Sequence, residues 1–143
     1  MASESSATTV WEGSLASGSG TTSVQSTALP DVAVSWPART ERTPDTTSPE
    51  ELLAAAHAAC YCMGLSQELD QVGHPPERLE ATATVSFVPG EGVKSSRIVV
   101  RGRVPGVDAN GFEEAARKAG EGCPISGALK GNVEITVEAT LES

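Results

Sequence analysis

Ser48-Pro-Glu-Glu-Leu-Leu-Ala-Ala-Ala-His-Ala-Ala-Cys-Tyr-Cys-Met63 is the stretch from which the rest of the chain takes its place. Ser48 suits an N-cap, Pro49 the first helical position, and Glu50 and Glu51 the positive end of the helix dipole. Leu, Ala and Met carry the helix onward. Leu52, Leu53, Ala55, Ala56, Ala59, Cys60 and Met63 point almost all round it, the mark of a buried helix. Its alanines admit other backbones closely, and Cys60 sits among them. The expectation is a central helix that carries a thiol. It runs to about Val72, where Gly73 and Pro75-Pro76 stop it.

Upstream, residues 1–7 read as a disordered tail, and residues 8–12 and 21–26 are β-prone segments joined by a Gly/Ser-rich turn. Residues 31–36 make a third strand. Residues 37–47, rich in Pro, Thr and charge, read as a loop that carries Arg39 and Arg42 into the helix. Downstream, Leu79, Ala81, Ala83, Val85 and Phe87 alternate with polar residues, as in a half-buried strand. Pro89-Gly90-Glu91-Gly92 turns the chain back into residues 96–104. Asp108 or Asn110 caps a second helix with Phe112, Ala115, Ala116 and Ala119 on one face. Cys123-Pro124 opens a short helical turn, and Val133 to Leu141 alternate in a last strand. Runs of strands between two helices give an α+β class, with residues 8–143 as a single domain.

The formal net charge of -9 argues against nucleic acid or an anionic membrane surface as partner. No apolar run approaches the roughly 20 residues of a spanning helix. The first twenty residues lack the apolar core of a signal peptide, so a reducing cytoplasm is expected. There, three cysteines are reactive or simply buried rather than a disulfide framework.

Cys60 reads either as an inert buried thiol or as a reactive one. Cys123 precedes Pro124 at a helix start, where backbone N–H groups and the dipole favour a thiolate; the alternative is a weak cap. Cys62 lies two residues past Cys60, about 200° round the helix, and reads as packing. Metal binding fits poorly, because Cys60 and Cys62 lack Cys-x-x-Cys spacing, and no nucleotide or phosphate motif suggests a cofactor. His57 shares a helix face with Cys60, as a base or as a packed, hydrogen-bonded side chain. His74, beside Pro75, is a loop residue. Glu50 precedes Cys60 by ten residues, roughly 15 Å of helix, and cannot touch the sulfur of its own chain. It acts near a thiol only through a second subunit or a long Arg bridge, or it simply complements the dipole. Arg39 is a solvated loop charge or that bridge.

Pro49 to Cys60, followed by Gly122-Cys-Pro-Ile-Ser126, resembles the OsmC/Ohr family of thiol peroxidases. Trp11-Glu12-Gly13 and Val104-Pro105-Gly106-Val107-Asp108-Ala109 are similar to the OsmC branch in particular. The resemblance runs from about Val10 to Leu141. It implies curved antiparallel sheets wrapped around two central helices in an intertwined homodimer, with active sites at the interface. It also implies a peroxidatic Cys60, a resolving Cys123, a Glu50 at the helix start and an Arg39 that holds the thiolate. Organic hydroperoxides would be the substrates, and an external dithiol such as a dihydrolipoyl protein the reductant. Ser48 departs from a common Asn, Cys62 is an extra thiol, and a longer Arg39-to-Pro49 segment leaves Arg42 as a second candidate cation. A different reading of the same fold is a small-molecule-binding or redox-sensing module without turnover; a third, a protein disulfide oxidoreductase, lacks its Cys-x-x-Cys.

Overall fold

The computed structural model describes residues 2–142; Met1 of the expected tail and Ser143 at the end of the expected domain lie outside them. The chain forms two compact units, one up to Leu52 and one from Leu53 onward. The first is a four-stranded sheet in sequence order: β1 (Ala7–Glu12), β2 (Ser19–Val24), β3 (Val32–Val34) and β4 (Thr46–Thr47). Pairing starts at Ser6, whose carbonyl accepts from the Gln25 N–H at 2.9 Å. Val34 is the buried apolar side chain of this unit. A Cβ on Gly20 would lie 2.9 Å from both Val34 and Trp11, so glycine there lets β2 pass beneath the indole.

The expectations for residues 31–47 hold only in part: the third strand stops at Val34, and the segment read as a loop opens with a helical turn, α1 (Trp36–Thr40), and closes with the short strand β4. Ser35 caps it, its Oγ accepting from the Ala38 N–H at 3.1 Å, and Pro37 sits in the first turn. Ser-x-Pro is a helix-start signal, hidden among loop-like Pro and Thr residues.

The long helix α2 (Pro49–Gln71) begins as expected, with the Glu51 N–H donating to Ser48 Oγ at 3.1 Å. It ends where Gly73 takes φ +84° and His74 N–H reaches back to the Leu69 carbonyl at 2.9 Å. Its burial is one-sided. His57, Tyr61, Leu65 and Leu69, one every four residues, are fully buried, whereas Ala55, Ala56 and Ala59 are exposed and Met63 is 73% exposed. An all-round apolar sequence therefore has only one face covered within its own chain. The other face is smooth with alanine.

The second unit packs that stripe against β5 (Arg78–Val88), β6 (Gly92–Arg103) and β7 (Glu134–Glu142), with the helices α3 (Ala109–Gly122) and α4 (Pro124–Leu129). Asp108 caps α3, accepting from the Gly111 N–H at 2.7 Å, and Phe112, Ala115, Ala116 and Ala119 are its buried face, as their spacing predicts. Ile98 and Val100 of β6, with Val104 just past its end, complete the core. Each large apolar side chain buried there contributes about 1.5–3 kcal/mol. Tyr61 spans the two helices, donating its hydroxyl to the Ala116 carbonyl at 2.9 Å. A Cβ on Gly102 would meet the Phe112 ring at 2.5 Å, so that glycine sets the closeness of β6 and α3. The sheets are mixed rather than purely antiparallel: β6 pairs with β7 in parallel, as β3 does with β4. The α3–α4 crossover returns the chain to the same end of the sheet, and a parallel pair needs such a connection.

Candidate active site

The site in the second unit is built from two helix positions. Cys60 lies midway along α2, a quarter-turn from the His57–Tyr61 stripe, and is half-buried. Cys123 stands between α3 and α4: its N–H closes α3 on the Ala119 carbonyl at 2.9 Å, and Pro124 starts α4 immediately afterwards. The sulfur is thereby pressed into the core, 1% exposed. The two sulfurs lie 3.2 Å apart, with a hydrogen bond between them, and both thiols are free. Two cysteines distant in sequence are thus placed in contact by helix packing.

Their electrostatics differ. Burial pushes the Cys60 thiol up, and the adjacent Cys123 adds to this against one opposing contact, the Ile125 backbone N–H. Burial acts on Cys123 in the same sense, but it is outweighed by the Ser126 backbone N–H, the Cys60 thiol, the Ser126 hydroxyl and the Ile125 N–H, so Cys123 ionises below the usual thiol range. None of these groups closes a formal side-chain cap on α4; they act on the large sulfur as a cluster of donors. The two thiols titrate as a pair. With both protonated, Cys123 donates to Cys60; once one proton has gone, the charge rests on Cys123 and Cys60 donates back.

Cys62 points elsewhere. It is half-buried beside the Ala81 backbone of β5, and burial raises its thiol. The helical angle expected from the sequence puts Cys60 and Cys62 on different neighbours.

His57, the candidate base, is buried completely and touches neither sulfur in any hydrogen bond. Its Nδ1 meets Ser96 Oγ at 2.6 Å and its Nε2 meets Ser126 Oγ at 2.7 Å. Burial lowers its pKa and so favours the neutral ring. Sequence reasoning anticipated a packed, hydrogen-bonded histidine but missed both serines. A signal existed: Ser96 is in phase with the inward-facing Ile98 and Val100, and Ser126 follows Cys123 by three residues on a short helix.

Arg39 and Glu50 meet in the first unit. Arg39 Nε donates to both Glu50 oxygens, at 2.9 and 3.1 Å, and its guanidinium carbon lies 5.8 Å from the Trp36 ring centroid. Glu50 is 7% exposed, which makes an ion-paired partner necessary. The turn α1, missed in the sequence, is what aims Arg39 at the start of α2. Arg42 instead lines a shallow cleft with Thr43, Pro44 and Ser48. Because α2 is unbroken from Pro49 onward, the pair stays at its first turn while Cys60 lies nearly three turns further on.

Among the described residues no group of three or more His, Cys, Asp or Glu side chains is arranged to hold a metal ion. No helix there is long and apolar enough to cross a membrane. A groove of about 760 Å³ in the second unit runs along α3, α4 and β7 past Arg117, Ser126 and Val137 and is lined by neither cysteine.

The family described as OsmC-like protein matches residues 42–138. Peroxiredoxin OsmC of Escherichia coli (strain K12) is 39% identical over 136 residues, 93% of this chain and 93% of that protein. Organic hydroperoxide resistance protein OhrA of Bacillus subtilis (strain 168) is 34% identical over 110 residues, 76% of this chain and 77% of that one. The crystal structure of an OsmC like protein from Mycoplasma pneumoniae matches with a TM-score of 0.78 at 19% identity, covering 100% of both chains, a likeness of fold. The α+β architecture expected from the sequence is the one these proteins share.

Proposed function

The chain belongs to the OsmC-like protein family, and on that premise we propose that it is a cysteine-based peroxidase that reduces organic hydroperoxides, and hydrogen peroxide more weakly. The observation that carries this reading is the pair of free thiols with sulfurs 3.2 Å apart. A disulfide needs about 2 Å, so a small approach of the α2 and α4 backbones or a χ rotation joins them.

In this reading the Cys60 thiolate attacks the distal peroxide oxygen; the O–O bond breaks, the alkoxide leaves and takes a proton, and Cys60 becomes a sulfenic acid. The Cys123 thiolate then attacks the Cys60 sulfur, displacing hydroxide, which is protonated to water. An external dithiol, such as a dihydrolipoyl group, reduces the disulfide by exchange. The half-buried, alanine-lined setting of Cys60 favours an alkyl peroxide over a hydrated small one.

The first step requires a cation near Cys60, because burial alone holds that thiol protonated. Arg39, held in place by Glu50, is the cation of this reading, and it serves Cys60 of a second subunit. Two observations support a homodimer: the exposed Ala55, Ala56, Ala59 and Met63 face of α2, and the wholly exposed strand β1 with Val10 59% and Trp11 39% exposed. Three free thiols fit a reducing compartment, the cytoplasm.

The test is peroxide consumption under a dithiol reductant, with an alkyl hydroperoxide and hydrogen peroxide compared side by side. Turnover should favour the alkyl substrate. Binding or oxidation without turnover would instead support a redox-sensing module of the same fold.

A further inference from the structure

The buried histidine has no part in the cycle above, yet its surroundings are too specific for packing alone. His57 and Ser96 are fully buried and Ser126 is 4% exposed, and among the described residues no buried side-chain nitrogen or oxygen lacks a partner. A neutral imidazole has one donor and one acceptor. It sits here between two hydroxyls, at 2.6 and 2.7 Å, so the three side chains form a directed chain with only two arrangements. In one, Ser96 donates to Nδ1, Nε2–H donates to Ser126, and the Ser126 proton is free for the Cys123 sulfur. In the other, Nδ1–H donates to Ser96, Ser126 donates to Nε2, and no proton faces the sulfur.

We propose that His57 is a positioning residue for the resolving step: as the Nε2–H tautomer, oriented by Ser96, it turns the Ser126 hydroxyl onto Cys123. The inference rests on the peroxidase reading for its purpose, but not for its geometry. A negative sulfur selects the first arrangement, since a charge at one end of a hydrogen-bond chain polarises every bond along it. Cys123 is the N-cap of α4 and Ser126 lies three residues on, in its first turn, and the Ser126 hydroxyl is one of the groups that draw the thiol down. The chain acts when it is needed. Once Cys60 is a sulfenic acid, the Cys123 thiolate must attack its sulfur, the S–S bond forming as the S–O bond breaks. A hydroxyl turned onto Cys123 keeps that thiolate available at a sulfur that is only 1% exposed. Ser96 on β6, His57 on α2 and Ser126 on α4 thereby link three elements to one sulfur.

The test follows the ultraviolet absorbance of the thiolate against pH in protein carrying Cys60→Ser and Cys62→Ser, where Cys123 is the sole thiol. Ser126→Ala should raise the midpoint by about one pH unit, the worth of one hydrogen bond to a charged group. His57→Leu should raise it by a similar amount, and His57→Gln, which retains an N–H donor, by less. His57→Leu added to Ser126→Ala should shift it no further. In protein with Cys60 and Cys123 intact, Ser126→Ala should slow the conversion of sulfenic acid to disulfide about tenfold. An unshifted midpoint in Ser126→Ala, or full additivity of the two substitutions, would overturn the proposal. Ser126→Ala and His57→Gln both keep the decision open to measurement should His57→Leu fail to fold. The titration needs no peroxide. A protein that shifts as expected yet consumes no hydroperoxide would contradict the peroxidase reading and leave the relay standing.

Discussion

Cys60 and Cys123 touch sulfur to sulfur, yet one chain prepares them in opposite ways. Cys123 sits at a helix junction among the N–H groups of Ile125 and Ser126 and the Ser126 hydroxyl, and its charge is favoured. Cys60 lies within a helix, where backbone N–H groups are spent on the helix itself, and burial keeps its proton on. The contrast teaches that a single chain favours the charge of the thiol proposed to resolve and holds the proton on the one proposed to attack. Among the described residues, no cationic side chain is one of the groups that act on the Cys60 thiol. The cation proposed for it, Arg39, is fixed on Glu50 in the first unit.

The strongest way to break this comparison is to remove the cation. Arg39→Ala should slow the first reaction with an alkyl hydroperoxide on the order of a hundredfold, while Arg42→Ala leaves it nearly unchanged. Mixing the Arg39→Ala protein with a Cys60→Ser protein and allowing subunits to exchange should restore activity, because each mixed dimer then holds one intact site. No recovery, in a mixture shown by light scattering to be dimeric, would mean that Arg39 does not act across subunits.

A smaller effect sharpens the contrast between neighbouring thiols on α2. Cys62 faces β5 rather than Cys123. Cys62→Ser should keep most of the peroxidase rate and cost about 1 kcal/mol of stability, read from a denaturant midpoint, for placing a hydroxyl at a half-buried position. A loss of rate comparable to that of Cys60→Ser would place Cys62 in the reaction path.

How far these features were legible depended on whether their cause was local. The Ser48–Pro49 start of α2, the Gly73 stop, the Asp108 cap and the buried face of α3 were readable because caps and periodicity are written within a few residues. The turn α1 was not, since five residues give too short a period to rise above their loop-like composition. The parallel pairing of β6 with β7 was also hidden, because alternation along a strand carries no information about the direction of its neighbour. In the site, the helix angle separated Cys60 from Cys62, and the family motif pointed to Cys123. The serines around His57 were invisible: Ser96 and Ser126 come from β6 and α4, and only tertiary packing brings them to one imidazole. One-sided burial of α2 has the same origin, since its sequence is apolar on the face that its own chain leaves bare.

The division of labour between the two thiols is tested most directly by peptide-resolved mass spectrometry after one equivalent of an organic hydroperoxide, with a dimedone-type trap present. The parent protein should yield a Cys60–Cys123 disulfide. Cys123→Ser should consume about one peroxide per subunit and carry the trap on Cys60, because oxidation precedes resolution. Cys60→Ser should consume none. A trap on Cys123 in the Cys60→Ser protein, with full loss of the first equivalent of peroxide, would contradict the account and exchange the roles of the two residues.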